Sequence, residues 1–115
     1  MKDFRELDVL HAAHDLVVEV HDISQSFPDK DPFGIVNAIS GAALAIPRNI
    51  VDGCGRGDDD DIKGGLRLAS GAASELEYLM LLAGEVGFVD DETLEEFSVT
   101  LGEFRSRMAD ELKAR

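Results

Sequence analysis

Residues 62–83 read IKGGLRLASGAASELEYLMLLA, and apolar side chains recur through this stretch at alternating steps of four and three positions. That spacing brings them to one face of an α-helix, because a helical turn takes about 3.6 residues. A helix with one apolar face packs that face against other helices. The predicted apolar stripe of this helix consists of Ile62, Leu66, Ala69, Ala73, Leu76, Met80 and Ala83.

Acidic clusters mark the start of this helix and of a later one. Residues 58–61 are four aspartates, which cap the free N–H groups at a helix start and complement the positive end of its dipole. Gly84 and Gly87 loosen the end of the helix, and residues 90–92 (DDE) then open the last helix. The stripe of this last helix is Leu94, Phe97, Leu101, Phe104, Met108 and Leu112.

Two more helices are predicted upstream, on the N-terminal side. Pro28 ends the first of them, because proline lacks a backbone donor and clashes with the preceding turn. Asp31 before Pro32 predicts an N-cap followed by proline at the first helical position, and residues 53–55 (GCG) close this second helix. The two stripes are Val9, Ala13, Leu16, Val20, Ile23 and Phe27 in the first helix, and Ile35, Ile39, Ala42, Ile46 and Asn49 in the second.

Small and helix-breaking residues inside the second and third helices add further predictions. Pro47 removes one helical hydrogen bond, which predicts a kink near that residue. Residues 41–43 and 71–73 both read GAA and would let helix backbones approach closely. Each glycine at 64–65 costs about 1 kcal/mol relative to alanine in a helix. The pair therefore indicates either fraying or a very tight contact.

The four stripes predict an all-α fold. Strand-like alternation of apolar and polar residues does not compete with them, and the connections are short enough to join antiparallel neighbours. We therefore expect one domain over residues 1–115, an antiparallel up-and-down four-helix bundle. A chain of 115 residues is long enough to bury a core of this kind.

Composition narrows the functions that this chain can have. The 24 acidic side chains outnumber the 11 basic ones, and the formal net charge of -13 repels phosphate backbones and anionic lipids. Direct nucleic-acid binding and membrane binding are therefore disfavoured. The single cysteine, Cys54, cannot form an internal disulfide, and residues 1–6 carry charge instead of an apolar signal core. We expect a cytoplasmic protein.

Several short motifs, spread over nearly the whole chain, resemble those of a known family. This family of four-helix-bundle proteins is named for reading frames inside the intervening sequences of 23S ribosomal RNA. The segment from Asn49 to Arg56, together with the glycine and Glu-Leu pair of the third helix, is its specific part. The motifs are Phe4-x-x-Leu7-x-Val9, Phe27-Pro28, Ile46-Pro47-x-Asn49-Ile50-x-Asp52-Gly53-x-Gly55-Arg56 and Ala69-x-Gly71-x-x-x-Glu75-Leu76.

The resemblance implies an up-and-down bundle that assembles into a ring, typically a pentamer, and implies no enzymatic activity. A related accessory protein of diversity-generating retroelements forms a basic ring that engages a reverse transcriptase and nucleic acid. This chain departs from that version, since Ser40 and Gly41 stand where members commonly place basic residues. Asp52 and Ala72 are further departures, replacing a glutamate and a serine, and the bulky aromatic that members commonly place near Gly65 is also missing.

Four polar residues are the candidate site: Asn49, Asp52, Arg56 and Glu75. A polar Asn49 on an apolar stripe must find hydrogen-bond partners, and Arg56 can bind a carboxylate with two parallel bonds. We predict a buried or subunit-facing network that fixes register and assembly. A small-ligand site between helices is the alternative.

The sequence gives little support for a catalytic site or a metal-binding site. His11, His14 and His21 fall on one side of the first helix, but a di-iron bundle needs Glu-x-x-His on two helices and carboxylates from two others. Cys54 has no histidine near it in sequence to act as its base. We therefore expect no cofactor, no metal and no enzymatic activity.

The leading functional hypothesis is a homo-oligomeric scaffold or protein-binding module. Apolar residues that the core does not use would help to join its subunits. An acidic adaptor for a basic protein, such as a nucleic-acid enzyme, is the alternative, with the acidic surface of the third and fourth helices steering the partner. The third hypothesis is a protein that binds a metal ion or a small ligand. The apolar residues expected to join subunits are Leu10, Val17, Leu79, Leu82 and Phe88.

Overall fold

Four α-helices make up most of the described part of the chain. The computed structural model describes residues 3–115; Met1 and Lys2, part of the charged N-terminal stretch, lie outside the described residues. A single 3-10 turn, Phe4–Glu6, precedes the helices, and no strand occurs between residues 3 and 115. The helices are α1 (Asp8–Ser24), α2 (Ile35–Arg56), α3 (Asp59–Glu85) and α4 (Asp91–Lys113). The predicted all-α architecture with four helices is confirmed.

The helices form an elongated bundle of about 44 × 23 × 19 Å. Each helix packs against its two neighbours in the cycle α1–α2–α3–α4, whereas α1 and α3, like α2 and α4, lie diagonally across the core. Packing is most extensive between α2 and α3, which Gly57 and Asp58 connect. Short connections of this kind join antiparallel helices, so the bundle runs up and down.

The predicted starts of α3 and α4 are confirmed, because each is set by a local side-chain cap. The Asp58 carboxylate accepts a hydrogen bond from the Asp61 amide at 2.9 Å, and the Asp61 carboxylate accepts one from the Asp58 amide at 3.4 Å. This reciprocal pair is a capping box. At α4, the Asp90 carboxylate accepts from the Thr93 amide at 2.8 Å.

The start of α2 differs from the prediction. The helix begins at Ile35, not at Pro32, because Gly34 takes a positive φ of 68° that interrupts helical backbone. Asp31 still caps the helix, since its carboxylate accepts from the Ile35 amide at 2.9 Å and the Val36 amide at 2.8 Å. These backbone hydrogen bonds, chiefly the one from Val36, lower the pKa of Asp31.

The end of α2 also lies beyond its predicted position. The helix continues through Pro47 and through residues 53–55, and stops at Arg56 because Gly57 adopts a φ of 129°. Gly53 does not close the helix but faces α3. A Cβ on Gly53 would lie 2.7 Å from the Asp61 carbonyl oxygen and 3.2 Å from the Gly65 Cα. Glycine at both positions therefore permits the close crossing of α2 and α3.

The crossing of α2 and α3 shows which of the predicted small residues permit close helix packing. The tight-contact interpretation of Gly65 is correct, because a Cβ there would collide with the Asn49 carbonyl oxygen. Gly41 and Gly71, expected to promote close approach, have open space beside them instead. The alanines that follow each of them are buried.

The core is apolar from end to end. All predicted stripe residues are buried except Ile23, Asn49, Leu94 and Leu112, which are half-buried. Among residues 3–115, no polar or charged side chain is buried. None of the helices in this part of the chain combines the length and the apolar composition that a bilayer span requires.

Candidate functional site

The outward face of α2 is unusual for a chain with 30% charged residues. Residues 33–47, FGIVNAISGAALAIP, contain no charged side chain, although Asn37, Ser40, Gly41 and Leu44 are all exposed. An exposed helix face without charge is typical of a surface that another macromolecule covers. Its two sides each border a groove.

The first groove, called here the α1–α2 groove, lies between those two helices and holds about 280 Å³. Val18 and Leu44 project at its rim, with 46% and 47% of their surface exposed. His21 is the ionisable side chain among its lining residues. The lining comprises Val17, Val18, Val20, His21, Ser40, Ala43 and Leu44.

The second groove, called here the α2–α3 groove, is wider and holds about 720 Å³. Small residues form its α2 side, and Gly71 leaves its α3 side open. Tyr78, with 64% of its surface exposed, and Glu75 stand along α3. The lining comprises Ala38, Gly41, Ala42, Ala45, Gly71, Ser74, Glu75, Tyr78 and Leu79.

The apolar residues expected to join subunits are not the most exposed ones. Leu10, Val17, Leu79, Leu82 and Phe88 are partly buried and pack against the core. The exposed large apolar side chains lie one to three positions away from the predicted stripes, so the core pattern alone did not reveal them. They are Val18, Phe33, Leu44, Leu68, Tyr78, Leu81, Val86 and Val99.

The four predicted polar residues do not form one network within the chain. Arg56 donates to Asp52 at 2.9 Å in an exposed i,i+4 pair, and this hydrogen bond raises the pKa of Arg56. Asn49 donates to the Ala45 carbonyl oxygen at 2.8 Å, within its own helix. Glu75 lies in the α2–α3 groove, beside Ala45 and away from the pair. All four are exposed or half-buried, so they form no buried network within one chain, and the subunit-facing network stays a prediction.

The histidines and the cysteine occupy different environments. His11, His14 and His21 are exposed on α1, and the His11 Nε2 lies 3.0 Å from the Arg5 carbonyl oxygen. In the described part of the chain, no three His, Cys, Asp or Glu side chains are placed to hold a metal ion. Cys54 is 1% exposed, within the core.

A polar groove lies between α1 and α4, on the side of the bundle opposite the α2–α3 groove. It holds about 240 Å³, and its lining includes three carboxylates, from Asp8, Asp15 and Glu103. Arg107 lies 3.8 Å from the Asp8 carboxylate. This groove, called here the α1–α4 groove, carries more carboxylates than either of the two beside α2.

Comparisons with known proteins found one matching family and a solved structure with a similar fold. The model of the 23S rRNA-intervening sequence protein family matches residues 5–109. The fold is similar to a crystal structure from Bacteroides thetaiotaomicron, a protein with unknown function from the S23 ribosomal protein family. The TM-score is 0.80 with 18% identity, over 91% of this chain and 98% of the other. The comparison with curated proteins found no match.

Proposed function

The chain belongs to the 23S rRNA-intervening sequence protein family, and from that premise we propose that it is a non-enzymatic scaffold assembled from several identical copies. The observation that carries the proposal is the uncharged, exposed face of α2 between two apolar grooves. A ring is the assembly we favour, with five subunits as the family resemblance implies. Subunits would meet through the grooves beside α2.

Charge supports a contact on this side of the bundle. Two copies, each with a net charge of -13, repel one another over most of their surfaces. The face from residue 33 to residue 47 adds no carboxylate to that repulsion. Burial of Leu44 and Tyr78 would add apolar contact area, which stabilises a complex by about 25 cal/mol per Å² before the costs of association.

The positions of the reactive side chains support a non-enzymatic role. Cys54 is shielded by the core, so a substrate has no direct route to its thiol. Two of the candidate polar residues, Asn49 and Arg56, make hydrogen bonds within α2. Such bonds stabilise helix structure and prepare neither a nucleophile nor a base.

The test is native mass spectrometry of the wild type, Leu44→Glu and Val99→Glu. The first substitution puts a charge at the α2 face, and the second puts the same charge on α4 at a valine of 64% exposure. We expect a particle several times the 12.5 kDa chain for the wild type and Val99→Glu, and monomers for Leu44→Glu. A monomeric wild type would reject the scaffold.

The α1–α4 groove favours a second candidate function, an acidic adaptor for a basic protein. Its three carboxylates outnumber the single guanidinium of Arg107, and such a surface steers basic partners and binds them in a salt-sensitive way. Capture from cell lysate at low and at high salt tests it. The double change Asp15→Asn and Glu103→Gln should lower recovery of a basic partner, and no basic partner at either salt concentration would count against the adaptor.

A further inference from the structure

The two grooves beside α2 differ in shape and charge, and we propose that they bind each other. In this contact, which rests on the proposed self-assembly, the α1–α2 groove of one copy docks against the α2–α3 groove of the next copy. His21 of the first copy then lies opposite Glu75 of the second. The contact is heterologous, which means that each copy uses one face to bind and a different face to be bound.

Shape is the first argument for this pairing. The α1–α2 groove has projecting apolar side chains at its rim, Val18 and Leu44, each nearly half exposed. The α2–α3 groove is wide and has small residues along it, with open space beside Gly41 and Gly71. Projecting side chains on one surface fit between the small residues of the other, as ridges fit grooves when helices pack.

Charge is the second argument. Among the lining residues, His21 is the ionisable group of the α1–α2 groove, and Glu75 is the carboxylate of the α2–α3 groove. A carboxylate covered by an apolar surface is strongly destabilising unless it is hydrogen-bonded. An imidazole N–H can donate to it in either protonation state of histidine. Joining unlike grooves pairs the two groups, whereas joining two α2–α3 grooves would bring two carboxylates together.

Position along the bundle is the third argument. The α1–α2 groove includes residues 40–44 of α2, and the α2–α3 groove includes residues 38–45 of the same helix. Both grooves therefore lie at the same height along α2. In such a contact, the next copy is related to the first by a rotation about an axis with little translation along that axis. A heterologous contact without translation closes into a ring instead of a filament.

The arrangement of the two grooves also fixes where α2 lies in the ring. The grooves occupy adjacent sides of the bundle and share α2 as their common edge. Helix α2 would then line the inner wall of the ring.

A mixing experiment with two variants tests the pairing. Val18→Glu puts a charge into the α1–α2 groove, and Gly71→Glu fills the α2–α3 groove at a position where an added Cβ meets nothing within 4 Å. Each variant keeps one intact groove of the opposite kind. We expect each alone to be monomeric by native mass spectrometry, and an equimolar mixture to form a dimer with one copy of each.

Controls separate a lost contact from a lost fold. Gly102→Glu makes the same change on α4, also with open space beside the glycine, and should leave the wild-type assembly intact. Circular dichroism melting should show that both groove variants remain folded. A mixture that stays monomeric, or a single variant that still assembles, would overturn the pairing of unlike grooves. A wild type that is itself monomeric would instead reject the proposed scaffold.

A charge exchange tests the predicted partners at the centre of the contact. Glu75→Lys should dissociate the assembly, and His21→Glu added to the same chain should restore it, because each contact then again joins opposite charges. Glu85→Lys, an exposed glutamate at the end of α3, is the matched control and should assemble. Failure of the second change to restore assembly would contradict the pairing of His21 with Glu75.

Discussion

At the residue scale, Gly65 holds the most demanding position in the fold. A Cβ on this residue would collide with the Asn49 carbonyl oxygen and would lie 3.1 Å from the Gly53 Cα. Backbone atoms of α2 cannot move aside as the end of a flexible side chain can. The most extensive helix packing in the bundle, between α2 and α3, therefore depends on the lack of a side chain at one point.

Gly65→Ala should destabilise the protein by about 2 kcal/mol, because the added methyl group overpacks the α2–α3 crossing. Gly64→Ala is the matched control, since the same methyl group there meets nothing within 4 Å. It should stabilise α3 by up to about 1 kcal/mol through helix propensity. Urea unfolding measures both changes. Equal stability of the two variants would show that the crossing is looser than described.

Asp31 gives a residue-scale prediction with a pH dependence. Its pKa is lowered in the folded chain, chiefly by the hydrogen bond from the Val36 amide. A carboxyl with a depressed folded pKa stabilises the fold above its unfolded pKa of about 3.8 and loses that contribution as the pH falls through the folded pKa. Asp31→Ala should therefore lower the melting temperature at neutral pH.

The difference in melting temperature between Asp31→Ala and the wild type should shrink in acid, below about pH 4. Asp29→Ala, at an exposed loop position nearby, serves as the control and should melt like the wild type. A difference that stays constant from neutral to acidic pH would contradict the capping role of the Asp31 carboxylate.

At the element scale, the starts of α3 and α4 were predictable, and the ends of α2 were not. Asp58 and Asp90 cap their helices through side chains within three residues, which sequence spacing alone reveals. The limits of α2 are set by the positive φ of Gly34 and of Gly57, and Gly53 stays helical while it packs closely against α3. Sequence alone does not reveal which glycine takes a positive φ, so local pattern placed the helix start three residues too early and its end too soon.

The capping box of α3 can be tested by one substitution. Asp58→Ala should cost about 1 kcal/mol, because the Asp61 amide loses its side-chain acceptor and the reciprocal bond is lost. Asp60→Ala removes an acidic group from the same turn and should cost clearly less. Thermal unfolding compares them. Equal losses would mean that the helix dipole, and not the cap, sets the stability of this end.

The grooves beside α2 could not be predicted from the local sequence pattern. The sequence shows which residues face the core, but the exposed residues that flank a groove depend on which helices become neighbours. Leu44 and Tyr78 lie off the predicted stripes, and only the packing of α2 between α1 and α3 places them at groove edges. One signal in the sequence could have indicated this side, the absence of charge from residue 33 to residue 47.

At the scale of the whole molecule, charge separates the two functional hypotheses. Copies with a net charge of -13 repel each other, so added salt should strengthen self-assembly through the uncharged face of α2. Binding of a basic protein to the α1–α4 groove should weaken in the same series. Sedimentation velocity from low to high salt, with and without a basic protein, measures both. Self-assembly that weakens with salt would contradict an apolar contact.

The central claim is that identical copies of this chain assemble through the apolar grooves beside α2. Native mass spectrometry of the purified wild-type protein tests it most directly, because one spectrum gives the number of subunits and the mass of any retained molecule. The account predicts a bare particle of several copies of the 12.5 kDa chain. A monodisperse monomer at micromolar concentration would contradict it.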